Sequence, residues 1–275
     1  MNDALNRISA NGFMQIPIAH STQQLIDTTI KAAFAFFRLP EKDKATNVLP
    51  NDCGYRPMGV EYSQSSVRPD AIESFTASMR SRVAGSDLSS PFASHLHALM
   101  INTIELLEPI AEALVCEVAA SLTHDYRHSK TICGALHRWS CLQLNYSRPA
   151  ESSCEFINDA HEDGHLLTIL QTTEAGLEVM KADSSYMPTS TRSGELLVMP
   201  GKTMWLLSGG VVAPLYHRVR RHEDVPERLS MLFFVDMDPK ACQPWIQNNI
   251  SISEDIAEHV LTNGKRFGLS GFGSE

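Results

Sequence analysis

From Ser21 to Phe37 the apolar residues Leu25, Ile26, Ile30, Ala33, Phe34 and Phe37 recur at three- and four-residue steps, the spacing that gathers side chains on one face of an α-helix. Ser21 or Thr22 is placed to cap this helix and Pro40 to end it. Between Asn51 and Arg68 the period is lost among Gly54, Pro57 and Gly59, so a long irregular loop is expected. A second helix is predicted from about Ser94 to Leu122, with Leu96, Leu99, Met100, Ile104, Leu107, Ile110 and Leu114 on one face and Pro109 bending or splitting it.

After His137 the pattern shortens. The runs LQLNY, HLLTILQ, GLEVM, ELLVM, TMWLLS, PLYHRV and RLSMLFFVD follow one another, broken by Gly, Pro, Ser and charged residues. Their spacing of roughly ten residues is that of short antiparallel strands in a sandwich or jelly roll. A helix is expected again from about Ser253, before a mobile glycine-rich tail, KRFGLSGFGSE. No repeat and no Gly/Ser/Pro-rich linker divides the chain. The expected fold is α+β with a mainly β core. It comprises an N-terminal helical and mixed layer over 1–137, a jelly-roll core carrying the site over 138–240, and a C-terminal helix and tail over 241–275, all around one shared core.

Composition narrows the function. With 275 residues, 43% of them apolar, the chain can bury a large core. The formal charge of −9 and the lack of any Lys/Arg cluster argue against nucleic acid and leave a small molecule as the default partner. Six cysteines, Cys53, Cys116, Cys133, Cys141, Cys154 and Cys242, contain no C-x-x-C pair, which argues against a zinc ribbon or thioredoxin-type site and predicts reduced, structural thiols. The opening MNDALNRISANGF lacks the apolar run of a secretory signal, and no stretch of about 18 apolar residues follows. A cytoplasmic protein, not bound to a membrane, is expected.

The candidate chemistry lies in the β half. In A-H-E-D-G-H-L-L-T, His161 and Asp163 are two apart and share one face of a strand. His217, in Y-H-R-V, comes 54 positions after Asp163 and can be delivered by a neighbouring strand. Two imidazoles and a carboxylate on a rigid sheet form the facial triad of non-haem Fe(II) oxygenases, which leaves coordination positions open for substrates. The same letters, His161-Glu162-Asp163-Gly164-His165, also spell the H-E-x-x-H of zinc proteases, but that site needs a helix. Gly164 and the following LLTILQTT oppose a helix here. Eleven residues past His217, Arg228 and Ser230 share a strand face and offer a guanidinium fork and a hydroxyl to a buried carboxylate.

With these motifs the sequence resembles the isopenicillin-N-synthase-like branch of the 2-oxoglutarate/Fe(II)-dependent oxygenases. The likeness is specific from about Leu142 to Asp238 and looser ahead of it, through Gly12-Phe13, AFFRLPEKDKA, Gly54-Tyr55 and Ile72-Glu73-Ser74-Phe75. The resemblance implies a distorted double-stranded β-helix flanked by helices, an oxygenase needing Fe(II), 2-oxoglutarate and O₂, and oxidation of a C–H bond of a small molecule, in specialised metabolism. It implies iron on His161, Asp163 and His217, and the cosubstrate's far carboxylate on Arg228 and Ser230. Asn145 and Tyr146 fall where the family contacts cosubstrate or substrate. Tyr55, Arg56 and Arg68 in the loop are placed to cover the pocket together with Tyr62 and the tail residues Arg266 and Phe267. The two loop arginines suit an anionic or amino-acid-like substrate, with solvated loop charges as the open alternative. Glu73 and Phe75 either meet substrate or tie the loop to the barrel, and His165 stands where the family is often small.

The chain departs from the family where it begins, just before Gly12-Phe13, which predicts that the IPVIDLS-type edge strand is missing. It departs again at Tyr146-Ser147-Arg148-Pro149, in place of a tyrosine-proline. Two other functions remain open at this level. One is an oxidase or cyclase of the same fold that uses Arg228 and Ser230 for the substrate's own carboxylate, and the other is a catalytically silent binding protein. A monomer or homodimer fits either.

Overall fold

The computed structural model describes residues 3–50, 52–63, 68–123, 139–246 and 254–266. Helix α1 (Asp3–Asn11) leads into strand β1 (Met14–Pro17), then α2 (His20–Phe37) and the single turn α3 (Glu41–Lys44). Strands β2 (Gly54–Arg56) and β3 (Glu73–Ser78) precede the long helix α4 (Pro91–Thr123). The β half runs β4 (Cys141–Ser147), β5 (Phe156–Glu162), β6 (Leu167–Thr172), β7 (Leu177–Met180), β8 (Tyr186–Pro188), β9 (Glu195–Pro200), helix α5 (Lys202–Leu207), β10 (Tyr216–Arg220) and β11 (Arg228–Val235), and α6 (Ile256–Arg266) follows.

The strands form two antiparallel sheets facing each other, one in the order β1-β9-β6-β11-β4-β3-β2 and one in the order β5-β10-β7-β8. This is the expected α+β arrangement, a jelly-roll core with helices outside it. Alternation along β11 explains why the large sheet has two different faces. Leu229, Met231, Phe233 and Val235 join the main apolar core, whereas Arg228, Ser230, Leu232 and Phe234 line a cavity between the sheets. On β4, Leu142, Leu144 and Tyr146 face the core while Gln143 and Asn145 face the cavity.

Helices α2 and α4 cover the outer face of the large sheet. Phe37 of α2 stacks on Tyr146 with centroids 5.0 Å apart and planes 5° from parallel, and Phe34 meets the same ring edge-on at 6.1 Å. Phe36 packs edge-on against Phe75 and Tyr55.

Several expectations need correction. Neither Ser21 nor Thr22 caps α2; the N-cap position is Ala19, with no side-chain cap hydrogen bond. Pro109 does not split the second helix. Its face of α4 is exposed, as is Glu105 one turn earlier, so the carbonyl freed by the missing N–H can be hydrated. The loop 51–68 contains β2, which pairs with β3. The edge of the large sheet expected to lack a strand is closed by β1 on β9. TMWLLS is helix α5, with Thr203, Met204, Leu206 and Leu207 buried; a short apolar run has no period that separates a strand from a buried helix. Cys53, Cys141, Cys154 and Cys242 are free thiols, but Cys116 is disulfide-bonded, against the expectation of reduced cysteines throughout. Most of the glycine-rich tail, including Phe267, lies outside the described residues, as does the side chain of Arg266. Among the described residues no helix is long and apolar enough to cross a membrane.

Candidate metal centre and cosubstrate pocket

His161 is the penultimate residue of β5 with Asp163 just past the strand's end, and His217 sits directly opposite His161 in the β5–β10 register. Strand pairing therefore supplies the third group, and H-E-x-x-H runs from the end of β5 into the following turn, not along a protease helix. The imidazole rings are 4.3 Å apart between centroids. Asp163 Oδ1 stands 3.7 Å from His161 Nε2 and 3.9 Å from His217 Nε2, and one ligand atom from each residue lies within 4.8 Å of the others.

The hydrogen bonds orient this group. His161 Nδ1 donates to the Asp159 carbonyl at 2.7 Å, and His217 Nδ1 donates to the Leu215 carbonyl at 3.3 Å. A carbonyl can only accept, so each Nδ1 carries the proton and each Nε2 lone pair points free toward the shared centre. Burial, reinforced by His217, lowers the His161 pKa and favours the neutral ring that a metal needs. Burial alone would raise Asp163, yet His217, His161 and the Thr168 hydroxyl hold it below the ordinary carboxylate range.

The turn carrying Asp163 is clamped from behind. The N-terminus of α5 donates Lys202 N–H to the Asp163 carbonyl at 2.7 Å and Thr203 N–H to the His165 carbonyl at 3.2 Å, while Thr203 Oγ1 donates to the Gly164 carbonyl at 2.7 Å. These contacts explain why TMWLLS must be helical, since only a helix start presents successive free N–H groups to one turn. On α6, His259 Nε2 donates to the Gly164 carbonyl at 2.9 Å, and Asn263 lies against the His165 ring. Gly201 fits this clamp for lack of a side chain. A Cβ there would lie 2.2 Å from the His165 carbonyl oxygen and 2.7 Å from that of Asp163. Gly201→Ala should displace the turn, costing about 1–3 kcal/mol of stability and lowering Fe(II) affinity by about 10- to 100-fold, as loss of an orienting contact does. Calorimetric Fe(II) titration and thermal melts check this, and unchanged iron affinity would contradict it.

At the other end of the cavity Arg228 is 3% exposed. Its Nε donates to the Ala175 carbonyl at 3.0 Å and its Nη1 to Ser230 Oγ at 2.6 Å, but Nη2 is buried without a hydrogen-bond partner. Burial pushes its pKa down to about 10. A buried, charged fork with one arm unmatched fits a carboxylate brought by a ligand. Leu170, Leu177, Val219, Leu232 and Phe234 supply apolar walls to the cavity that Arg228 shares with His161, Asp163 and His217.

The other expected site residues divide. Asn145 and His165 line the cavity, His165 holding Asp236 at 2.6 Å and stacking on Phe234. Tyr146 does not, because alternation turns it to the core, where its hydroxyl donates to Glu227 at 2.6 Å. Tyr55, Glu73 and Phe75 also lie away from the cavity. The Tyr55 hydroxyl donates to Glu73 at 2.7 Å, Lys44 pairs with Glu73, and Phe75 is core; this knot ties the loop to the barrel. Arg56 is buried behind the cavity, paired with Glu61 at 2.9 Å, and Arg68 pairs with Asp159 at 2.7 Å. Tyr62 lines the cavity as expected, together with Glu61, Asp70, Gln143 and Asn158, which the sequence reading missed. Gln143 was accessible through its two-residue step from Asn145; Glu61 and Asp70 sit in irregular backbone with no periodic signal.

A family model described as the 2OG-Fe(II) oxygenase superfamily matches residues 138–236. The chain is 27% identical over 204 residues to the 2-oxoglutarate-dependent dioxygenase ecdG of Aspergillus rugulosus, a match that covers 68% of this chain but spans only 59% of that protein's length. It is 21% identical over 261 residues to a 2-oxoglutarate-dependent dioxygenase of Didymella fabae, covering 83% and 76% respectively. Among solved structures, a 2OG-Fe(II) oxygenase family protein from Caulobacter crescentus superposes with a TM-score of 0.74 at 22% identity, covering 95% of this chain and 93% of that one. A full-length Neurospora crassa protein in complex with alpha-KG gives 0.74 at 15% identity, covering 93% and 87%. The structural likenesses establish the shared fold, and within it residues 138–236 match the model of the 2OG-Fe(II) oxygenase superfamily.

Proposed function

We propose that the protein is a non-haem Fe(II), 2-oxoglutarate-dependent oxygenase that oxidises a C–H bond of a small molecule. The observation that carries the reading is the pairing, in one cavity, of a buried guanidinium whose Nη2 lacks a partner with a two-histidine, one-carboxylate cluster whose donor atoms converge. His161, Asp163 and His217 would hold the iron, and Arg228 with Ser230 would hold the far carboxylate of 2-oxoglutarate. Bound together with O₂, these groups supply oxidative decarboxylation to succinate and CO₂ and the oxidising power for C–H cleavage.

The chain's own residues set the conditions. The carbonyls of Asp159 and Leu215 keep both imidazoles in the metal-binding tautomer. Thr168 fixes the Asp163 carboxylate so that Oδ1 remains toward the two Nε2 atoms. Arg228 sets the direction of the cosubstrate, and the apolar walls exclude water that would compete for the open positions. A cytoplasmic monomer or homodimer completes the proposal.

The test is succinate release by the purified protein supplied with Fe(II) and O₂. Succinate formed only when 2-oxoglutarate is present supports the proposal. Substrate oxidation that proceeds at full rate without 2-oxoglutarate would replace it with the oxidase reading.

A further inference from the structure

The flank of the cavity away from Arg228 is acidic. Arg228 reaches the Ala175 carbonyl just ahead of β7, whereas Asp70 lies beside β5, where the Ala71 N–H donates to the Ile157 carbonyl at 3.0 Å. Strand β10 separates β5 from β7 in the small sheet, so the two groups stand on opposite sides. Asp70 is 5% exposed and lines the cavity. Ser63 Oγ donates to its Oδ2 at 2.7 Å, but Oδ1 is buried without a hydrogen-bond partner. Burial pushes the Asp70 carboxyl up, while the Ser63 hydroxyl, His161 and the Asn158 side chain pull it back.

The cations nearby in sequence are committed elsewhere. Arg56 gives its Nε to Glu61 at 2.9 Å and its Nη2 to Thr76 and Gln143. Arg68 holds Asp159 and the Phe156 carbonyl and does not line the cavity. Glu61 also lines it, accepting from Gln143 Nε2 at 2.8 Å. Among the described residues no Lys or Arg forms an ion pair with Asp70. A buried carboxylate with one oxygen unmatched has the same logic as Arg228 with the sign reversed: a ligand must bring the partner.

We infer that Asp70 anchors the substrate, and that the substrate carries a hydrogen-bond-donating cation, an amine or guanidinium, at its end nearest β5. The inference rests on the proposed oxygenase reading for the identity of the other occupant, 2-oxoglutarate on Arg228. It replaces the anionic substrate suggested by Arg56 and Arg68, which pair with Glu61 and Asp159 and do not line the cavity.

Two probes of similar size and opposite charge test it, cyclohexylmethylguanidinium and cyclohexylacetate, titrated calorimetrically under anaerobic conditions into the protein loaded with Fe(II) and saturating 2-oxoglutarate. The guanidinium should bind at least about 10-fold more tightly than the carboxylate, as expected for a charge-assisted bond to a desolvated partner. Asp70→Asn, which keeps the shape, should remove that preference while 2-oxoglutarate still binds. Equal or tighter binding of the carboxylate, no binding of the guanidinium, or the same guanidinium affinity in Asp70→Asn would each overturn the inference. The 2-oxoglutarate titration run first separates the two readings. If the cosubstrate fails to bind, the oxygenase proposal falls by itself, and the Asp70→Asn comparison on the Fe(II)-treated protein still decides the role of Asp70.

Discussion

His217→Ala is expected to abolish Fe(II) retention while leaving the fold intact. The ring lines the cavity and is not part of the aliphatic core, so its loss leaves space that water can fill and not a dry void. β10 keeps its backbone pairing with both β5 and β7. What disappears is one of three converging donors, leaving His161 and Asp163. Contacts that merely orient a ligand are worth about 10- to 100-fold in metal affinity, so removal of the donor itself should exceed about 100-fold. Metal analysis after dialysis reads the effect directly, and circular dichroism confirms the fold. Iron affinity equal to wild type would mean that the ion, if one binds, sits elsewhere.

Arg228→Met should do the opposite to stability and comparable harm to function. In the ligand-free protein the guanidinium is buried with no carboxylate in ion-pair reach among the described residues; Glu174 acts on it only at longer range. Burial lowers its pKa to about 10, so folding disfavours the charged form. That cost is fully present below about pH 10, hence at neutral pH, and is relieved only as pH rises above about 10 toward the ordinary arginine range. A shift of this size corresponds to about 3 kcal/mol, in line with the 1–4 kcal/mol that replacing buried charges by apolar groups of like volume often gains. The ligand-free variant should therefore melt at a higher temperature than wild type. Its affinity for 2-oxoglutarate should drop by roughly 30- to 1,000-fold, the equivalent of about 2–4 kcal/mol for a lost partner of a buried charge. The stabilisation that 2-oxoglutarate confers on the wild type should vanish. A lower melting temperature in the variant would show that Arg228 is a structural ion, not a waiting receptor.

How far these features could be read in advance depended on whether the backbone was periodic. His161, Asp163, Arg228 and Ser230 were legible because strand alternation fixes which residues share a face, and the glycine and β-formers around H-E-x-x-H removed the helical reading. Tyr146 shows the same rule ignored: one step from Asn145, it had to face the other side, onto Phe37. TMWLLS failed because six residues carry too little period, and the deciding fact, a turn of bare carbonyls at 163–165 awaiting a helix start, is tertiary. Tyr55, Glu73 and Phe75 were visible as candidates but not as a knot, since Lys44 reaches Glu73 only after α3 folds against β3. The acidic flank at Glu61 and Asp70 lies in irregular backbone, whose side chains no pattern orients. The disulfide state of Cys116 was equally hidden, because cysteine spacing does not reveal pairing.

The central claim, one cavity holding iron at His161, Asp163 and His217 and a keto acid on Arg228, is tested most directly by anaerobic Fe(II) titration with and without 2-oxoglutarate, monitored in the visible. The account predicts a metal-to-ligand charge-transfer band in wild type only when both are present, absent at any iron concentration in His217→Ala, and recovered in Arg228→Met only at much higher 2-oxoglutarate. No band in the wild-type protein, or an undiminished band in His217→Ala, would contradict it.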